Sequence, residues 1–428
     1  MIENVADVRP FRALRYAPGL DLAAAICPPF DIISPERQRE LHDRAPYNAV
    51  HVELAIGDGD RRYENAAEAL KSWREDGTIR KDEAPSYYLY QQQFRHGDTT
   101  YKRRMLFARV GLQPWSDGVV LPHEQTFGAP NADRLKLLQA TRVNSSPVFL
   151  TYRDQKHSIE SILTRVEETD PAVSFEADDG QHHSLWLIAD EGLASSLRNA
   201  FAEEKLYIAD GHHRYETALG FRDDSRSNGW TGEEPENFAL VALSSASDPG
   251  LLVLPIHRVT AAGGDWTEVV ARIEPLFNID RFDSLDALSD ALSRAAPSQA
   301  FGLIANDDAK PMLLTVADKA AIDSLLPQDR SPEWRALDYA VANHVMMQHC
   351  IGVSETEMTD HSSVWFTEDP TEAETTVRTG RGRYAVLLNS VPVKSVLDLA
   401  ETGERMPQKS TFYYPKVPTG LLFNPLED

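Results

Sequence analysis

The run Ile208-Ala209-Asp210-Gly211-His212-His213-Arg214-Tyr215-Glu216 concentrates the chemistry of this chain. An apolar strand that stops at Asp-Gly and passes straight into a helix presents the helix's first backbone N–H groups and the positive end of its dipole, a combination that binds phosphate. Gly211 permits the sharp turn and a close ligand approach. Arg214 can grip a phosphate through two parallel donors. His212 and His213 supply neutral or cationic donors, and Asp210 suits a magnesium ligand or a general base. The competing reading makes Asp210 a helix cap and pairs Arg214 with a nearby acid. Two histidines and an arginine at the mouth of a buried strand are an uncommon way to cap a helix, so the turn is expected to hold an anion.

Two other segments carry reactive groups. In Pro122-His123-Glu124-Gln125-Thr126 the next residue is Phe127, so the zinc-protease spacing H-E-x-x-H fails. The neighbouring His123 and Glu124 instead form a base and its orienting partner for deprotonating a hydroxyl. Arg134 and Lys136, just downstream, can screen phosphate charge, although Asp133 and Arg134 can also simply pair on the surface. Near the C-terminus, Lys409-Ser410-Thr411 offers a charge and two hydroxyls for a phosphate or carboxylate. It lacks the glycine-rich loop of a P-loop. Phe412, Tyr413 and Tyr414 are expected in a core, while Lys416 suits either role. Such a segment frays unless it docks, and docking would complete a site.

Lesser candidates are His257 and Arg258, placed after an apolar strand where α/β sheets present ligand groups, and Asp31, expected to support the next helix. The basic run Tyr101-Lys102-Arg103-Arg104 falls in a strand and is expected on a solvated face. His182 and His183 are expected at the surface.

The elements that must position these residues follow from pattern. Ser34-Pro35 starts a helix reaching about Arg44, and residues 48–55 alternate like a strand. Tyr63 to Asp76 is an amphipathic helix. Tyr87 to Phe94 and Thr99 to Val110 form a hairpin around His96-Gly97-Asp98. After a loop over 121–130, a helix runs from Ala132 to Thr141, followed by a strand at Val148–Tyr152 and a helix from Asp154 to Glu168. The middle reads strand (Leu185–Ile188), helix (Glu191–Glu203), strand (Leu206–Ala209), turn, helix (Tyr215–Phe221), strand (Phe238–Leu243). That order implies an α/β layer with a site at the strand-to-helix turn. Ala336 to His349 is a buried helix, and Gly420 to Phe423 a closing strand. The expected divisions are an N-terminal α+β domain over 1–150, an α/β core over 151–260, and an α/β region over 261–428 whose tail docks into the site.

The chain has 428 residues, 42% hydrophobic and 25% charged, with formal charge −23. Such an acidic balance argues against a nucleic-acid or anionic-membrane binder. Cys27 and Cys350 are too isolated for a disulfide framework. No apolar run reaches a membrane span, and the first residues do not read as a signal peptide, so a cytoplasmic location is expected.

Strand–helix–strand–Asp-Gly-His-His-Arg–helix resembles the ParB and sulfiredoxin-like superfamily, and is most similar to its free-serine kinases, whose nucleotide phosphates sit on this turn. Asp210 to Arg214 match that motif residue by residue, over a stretch between Glu191 and Leu219. The whole chain resembles the domain-of-unknown-function family number ten-fifteen. That resemblance rests on Cys27-Pro28-Pro29-Phe30-Asp31-Ile32-Ile33-Ser34, Leu121 to Thr126, the Asp210 motif, Leu254-Pro255-Ile256-His257-Arg258, and Met406 to Lys416.

Together these imply a mixed α+β protein with a ParB-like α/β core, acting as a phosphotransferase with magnesium and ADP or ATP on a small hydroxyl metabolite such as serine. A phosphoserine phosphatase and a non-catalytic nucleotide switch are the alternatives. In the leading reading Glu124, His123, Asp210 and His212 are catalytic. Gly211, His212, His213, Arg214, Lys409, Ser410 and Thr411 hold the nucleotide phosphates, and Asp210 the metal. His257, Arg258, Arg134 and Lys416 hold the substrate. The His123–Glu124 loop, the Asp210 turn and the tail are expected to line one cleft.

Overall fold

Nine strands build one mixed sheet: β1 (Val8–Arg9), β2 (Tyr87–His96), β3 (Thr99–Gly111), β4 (Val120–Leu121), β5 (Val148–Tyr152), β6 (Val173–Glu176), β7 (His182–Ile188), β8 (Leu206–Asp210) and β9 (Phe238–Ser245). The structure is a computed structural model that describes residues 5–124, 128–295, 299–306, 309–360 and 362–427. Gln125, Thr126 and Phe127 lie outside the described residues.

The strands lie in the order β4-β8-β5-β9-β3-β2-β7-β6, with β1 beside β3. Two pairs, β8 with β4 and β9 with β5, are parallel, and the rest are antiparallel. The β2–β3 hairpin runs in unbroken register from Tyr88↔Phe107 to His96↔Thr99. Alternation turns one set of side chains to a common face: Leu106 and Ala108, Val148 and Leu150, Leu206 and Ile208, Val241 and Leu243. Against that face pack α5 (Ser158–Glu167), α6 (Glu191–Phe201) and α7 (His212–Ser225), through Ile159, Leu197, Phe201 and Tyr215 among others. Each such side chain, fully buried, contributes roughly 1.5–3 kcal/mol. The mixed α/β fold expected from the sequence is the one observed.

Further helices of this part include α1 (Pro35–Arg44), α2 (Val50–Glu53), α3 (Arg61–Glu75) and α4 (Gly128–Thr141). Ser34 caps α1 by accepting the Arg37 N–H at 3.1 Å. Residues 48–55 depart from expectation, since they hold the short helix α2 and not a strand. Asn48 is the cause. Its side chain accepts from the Val50 N–H and donates to the carbonyls of Ala24 and Ile26, which caps and anchors a turn of helix.

Two more expectations are corrected here. Arg103 is not solvated: it is fully buried, donating to Gln92 and to the Pro415 carbonyl. His183 is not at the surface either. It lies inside β7, with Nδ1 at 2.6 Å from the Tyr90 hydroxyl.

The chain divides into two compact units, one comprising 1–122, 126–252 and 415–428, the other 123–125 and 253–414. The line expected at residue 150 falls inside the nine-stranded sheet, because β5, β8 and β9 interleave in it.

The second unit has its own six-stranded sheet, from β10 (His257–Thr260), β11 (Phe277–Arg281), β12 (Ala300–Ala305), β13 (Met312–Val316), β14 (Val364–Thr367) and β15 (Tyr384–Leu387), in the order β11-β13-β12-β15-β10-β14. All its pairs are antiparallel. Helices α8 (Leu285–Ala295) and α9 (Pro370–Arg378) cover one face through Leu288, Leu292, Ala373 and Val377. The helix expected over 336–349 is instead a short α-helical turn at Asp338–Ala340 running into a π-helix over Val341–Ile351. The closing strand is Asn424–Pro425 and not 420–423. Among the described residues no helix is long and apolar enough to cross a membrane.

Burial lowers the pKa of both His183 and His257 to about 4. The unfolded chain takes up these protons near pH 6.5, before the folded one does. The stability tied to the neutral rings is therefore complete above pH 6.5 and is lost as pH falls toward 4. Urea unfolding followed from pH 7.5 to 4 should show a loss of about 2–3 kcal/mol per ring, and His183→Gln should flatten the part that belongs to its unit. An unchanged slope in that variant would remove His183 from the account.

Candidate functional site

Four features build the β8–α7 turn. A register shift between Ile208 and Asp210 against β5 marks the end of β8, freeing Asp210 from the regular alternation. Gly211 then takes φ +90°, a conformation glycine adopts freely. The Arg214 guanidinium folds back against it, within 3 Å of where a Cβ would stand. Tyr215, on the first turn of α7, is pinned from the core side by hydrogen bonds with both backbone groups of Gln113 and stacks on Trp115 at 4.7 Å.

Asp210 is the hub. Its Oδ2 accepts from Arg214 at 2.6 Å, and its Oδ1 accepts from Lys416. Burial alone would raise its pKa, but Lys416 and Arg214 outweigh burial and hold the carboxyl well below the ordinary range. A second guanidinium nitrogen of Arg214 donates to the Pro147 carbonyl. An arginine has five N–H donors, so with two committed three remain. Two cations thus share one carboxylate at the positive end of a 14-residue helix, and the balance favours an arriving anion. His212 is buried, and its charge when protonated adds to the same field. His213 is half-buried on the same turn.

Asp210 does not fit the magnesium ligand expected of it, because cations occupy both oxygens. Among the described residues no group of three or more His, Cys, Asp or Glu side chains is placed to hold a metal.

The His–Glu loop and the 406–411 segment meet in the second unit. The Met406 N–H donates to the His123 carbonyl at 2.7 Å, and Glu124 bridges to Met406 in parallel fashion. Glu124 Oε1 accepts the Ser410 N–H at 3.2 Å, and His123 Nε2 lies 2.9 Å from the Thr411 hydroxyl. His123 is buried, with its Nε2 3.8 Å from Glu124. Arg258 is fully buried between the rings of Tyr339 and Phe366, its Nε bonded to Asn343 of the π-helix. Burial lowers its pKa to about 10, against the pull of Tyr339 and Glu124. His257 is buried, its Nδ1 accepting the Leu388 N–H at 3.2 Å. The Ser410 hydroxyl donates to the Pro407 carbonyl, while Lys409 is exposed.

Residues distant in sequence lie together within each unit: His123 and Glu124 with Ser410 and Thr411 in one, Asp210 and Arg214 with Lys416 in the other. Arg134 is buried, not superficial. It bonds Asp133 through two nitrogens and the Glu53 carbonyl through a third, with its guanidinium 4.1 Å from the Phe30 ring. Glu53, Ser145 and Ser146 were not singled out in the sequence. They line a crevice of about 50 Å³ together with Arg134 and Arg214. No motif marks them, and the strand-like alternation of 48–55 hides Glu53.

Among solved structures, a conserved hypothetical protein from Pyrococcus furiosus matches at 13% identity and TM-score 0.35, over 71% of this chain and 90% of that one. Free serine kinase in complex with AMP matches at 12% identity and TM-score 0.36, over 69% and 83%. SbnI with C-terminal truncation from Staphylococcus aureus matches at 11% and 0.34, over 72% and 85%. No curated protein sequence matches. The model of the family described as protein of unknown function (DUF1015) matches residues 8–340, from β1 to the residues preceding the π-helix, and the chain belongs to that family.

Proposed function

We propose that this protein is a phosphotransferase that moves a phosphoryl group between ADP or ATP and a small hydroxyl metabolite, with free serine the first acceptor to test. The observation that carries the reading is the Asp210 turn: a helix N-terminus, one carboxylate shared by Lys416 and Arg214, and Arg214 donors still to be filled. Phosphoryl transfer asks a protein mainly for positioning and for neutralisation of charge, and this turn offers both. The resemblance of Asp210 to Arg214 to the free-serine kinase motif supports a nucleotide as the anion and serine as the acceptor. Magnesium belongs to the proposal as a companion of the nucleotide phosphates, with no protein ligand assigned to it.

The test is calorimetry with ADP and ATP on the wild-type protein and Arg214→Ala. Loss of a charge-assisted contact of at least about 1.5 kcal/mol should weaken binding more than about tenfold. Equal affinity in a folded variant would remove the turn from nucleotide binding. Product analysis with serine and ATP, and with phosphoserine with and without ADP, then separates the outcomes. Phosphate released from phosphoserine without nucleotide marks a phosphatase. Tight nucleotide binding without any turnover marks a switch.

A further inference from the structure

A hollow of about 230 Å³ in the first unit shares no lining residue with the Asp210 turn. Three cations line it, Arg12, Lys81 and Arg109, against one carboxylate, Glu427. That carboxylate is already paired with Arg74. Arg12 gives its Nε–H to the Asp82 carbonyl at 2.8 Å, and Lys81 donates to the Glu427 carbonyl at 3.2 Å. Both acceptors are neutral, so they fix where each cation sits and leave its charge in place. Among the described residues neither Arg12 nor Lys81 makes an ion pair. The Asp82 carboxylate is taken by Arg15 and the Tyr88 hydroxyl, and Glu83 does not line the hollow. An arginine has five N–H donors and a lysine three, so with one of each committed, four and two remain.

The third cation adds to the excess. Arg109 on β3 stands directly opposite Arg9 on β1, and both guanidinium groups lie over the Phe238 ring, at 4.4 and 4.7 Å. Like charges directly opposite on antiparallel strands repel. Of the nearby acids, Asp7 is bonded to Arg9, and Glu233 is bonded to Arg9 while its field also draws on Arg109. The walls are rigid. Pro10, Pro85, Pro235 and Pro425 line the hollow, and the ring locks φ at each, so little backbone has to be ordered when a ligand enters. Proline has no N–H, which leaves the cations as the donors. In a chain of net charge −23, a hollow with this excess of positive charge does not follow from average composition.

We infer that this hollow binds a small organic anion carrying two or more negative charges, a polycarboxylate or a phosphate ester, with Arg12 and Lys81 as its main contacts and Arg109 closing the positive rim. The site does not depend on the phosphotransfer reading. It stands on the excess of fixed cations and the rigid space between them.

Calorimetry on the full chain with citrate, glycerol 3-phosphate, acetate and glycerol tests it, on the wild type and on Arg214→Ala, which removes a cation from the Asp210 turn. Citrate or glycerol 3-phosphate should bind at least about tenfold more tightly than acetate, a difference of about 1.4 kcal/mol, and glycerol should not bind. The tighter of the two identifies the ligand as carboxylate or phosphate. The double variant Arg12→Gln, Lys81→Gln should weaken that anion at least about tenfold, and Arg214→Ala should leave this binding in place. Arg12 is exposed and Lys81 half-buried, so the fold should tolerate the change. If the double variant does not fold, Arg12→Gln alone should weaken the anion at least about threefold. Acetate binding as tightly as both multivalent anions, unchanged affinity in a folded variant, or binding lost in Arg214→Ala and kept in the double variant would each overturn the inference. Anion binding that the double variant loses, in a protein that binds no nucleotide, keeps the hollow and removes the phosphotransfer reading.

Discussion

Asp210→Ala should destabilise its unit by about 3–5 kcal/mol, the usual cost of leaving buried charge without its partner. The side chains of Lys416 and Arg214 are only 11% and 13% exposed, so water cannot take over from the carboxylate. The same substitution should tighten the binding of inorganic phosphate, because two cations then face the anion with no carboxylate between them. Phosphate at 100 times its dissociation constant would return about 2.7 kcal/mol. Chemical unfolding with and without phosphate reads both effects. A variant as stable as the wild type, or one that phosphate does not rescue, would show that the three charges are not a coupled cluster. Asp210→Asn keeps the shape and should fall between the two.

Glu124→Gln should cut turnover by about 10² to 10⁴ if that carboxylate takes the acceptor's proton, the range a positioned base contributes. The substitution keeps an oxygen for the Ser410 N–H, so the turn made by the 406–411 segment should survive. His123 should stay beside Thr411, since its 2.9 Å contact with that hydroxyl is closer than the 3.8 Å approach of the same nitrogen to Glu124. Single-turnover assays with ATP and serine, paired with calorimetry for nucleotide affinity, separate chemistry from binding. Unchanged turnover would leave Glu124 as a structural acceptor for the Ser410 N–H.

How much of this was legible beforehand depends on how far each signal reaches along the chain. The β2–β3 hairpin was readable because alternation and the His96-Gly97-Asp98 turn are local. The Asp210 turn was readable for the same reason: strand, glycine and helix are contiguous. What escaped depends on residues far apart. Arg103 looks solvated within its basic run, and becomes a core residue only because Gln92 and the Pro415 carbonyl are brought to it. Glu53 sits in a stretch that alternates like a strand, and the helical turn there is decided by Asn48 bonding back to Ala24 and Ile26. Lys416 was a candidate for substrate binding, and its partnership with Asp210 spans 206 positions that no local pattern can bridge.

The route of the chain has a consequence for synthesis. Lys416, Thr419 and the Pro415 carbonyl belong to the unit that begins the chain, yet residues 253–414 are made before them. A nascent chain that has passed Leu252 already carries all nine strands of the large sheet, but Arg103 has no Pro415 carbonyl and Asp210 has only Arg214. At about 5–20 residues per second, the interval before those partners emerge is on the order of 10–30 seconds. During it the first unit is a sheet with the charge cluster of its Asp210 turn half assembled. The complete cluster of Asp210, Arg214 and Lys416 is thus acquired late and all at once, by the arrival of one short segment, and not by the gradual maturing of the sheet that displays it.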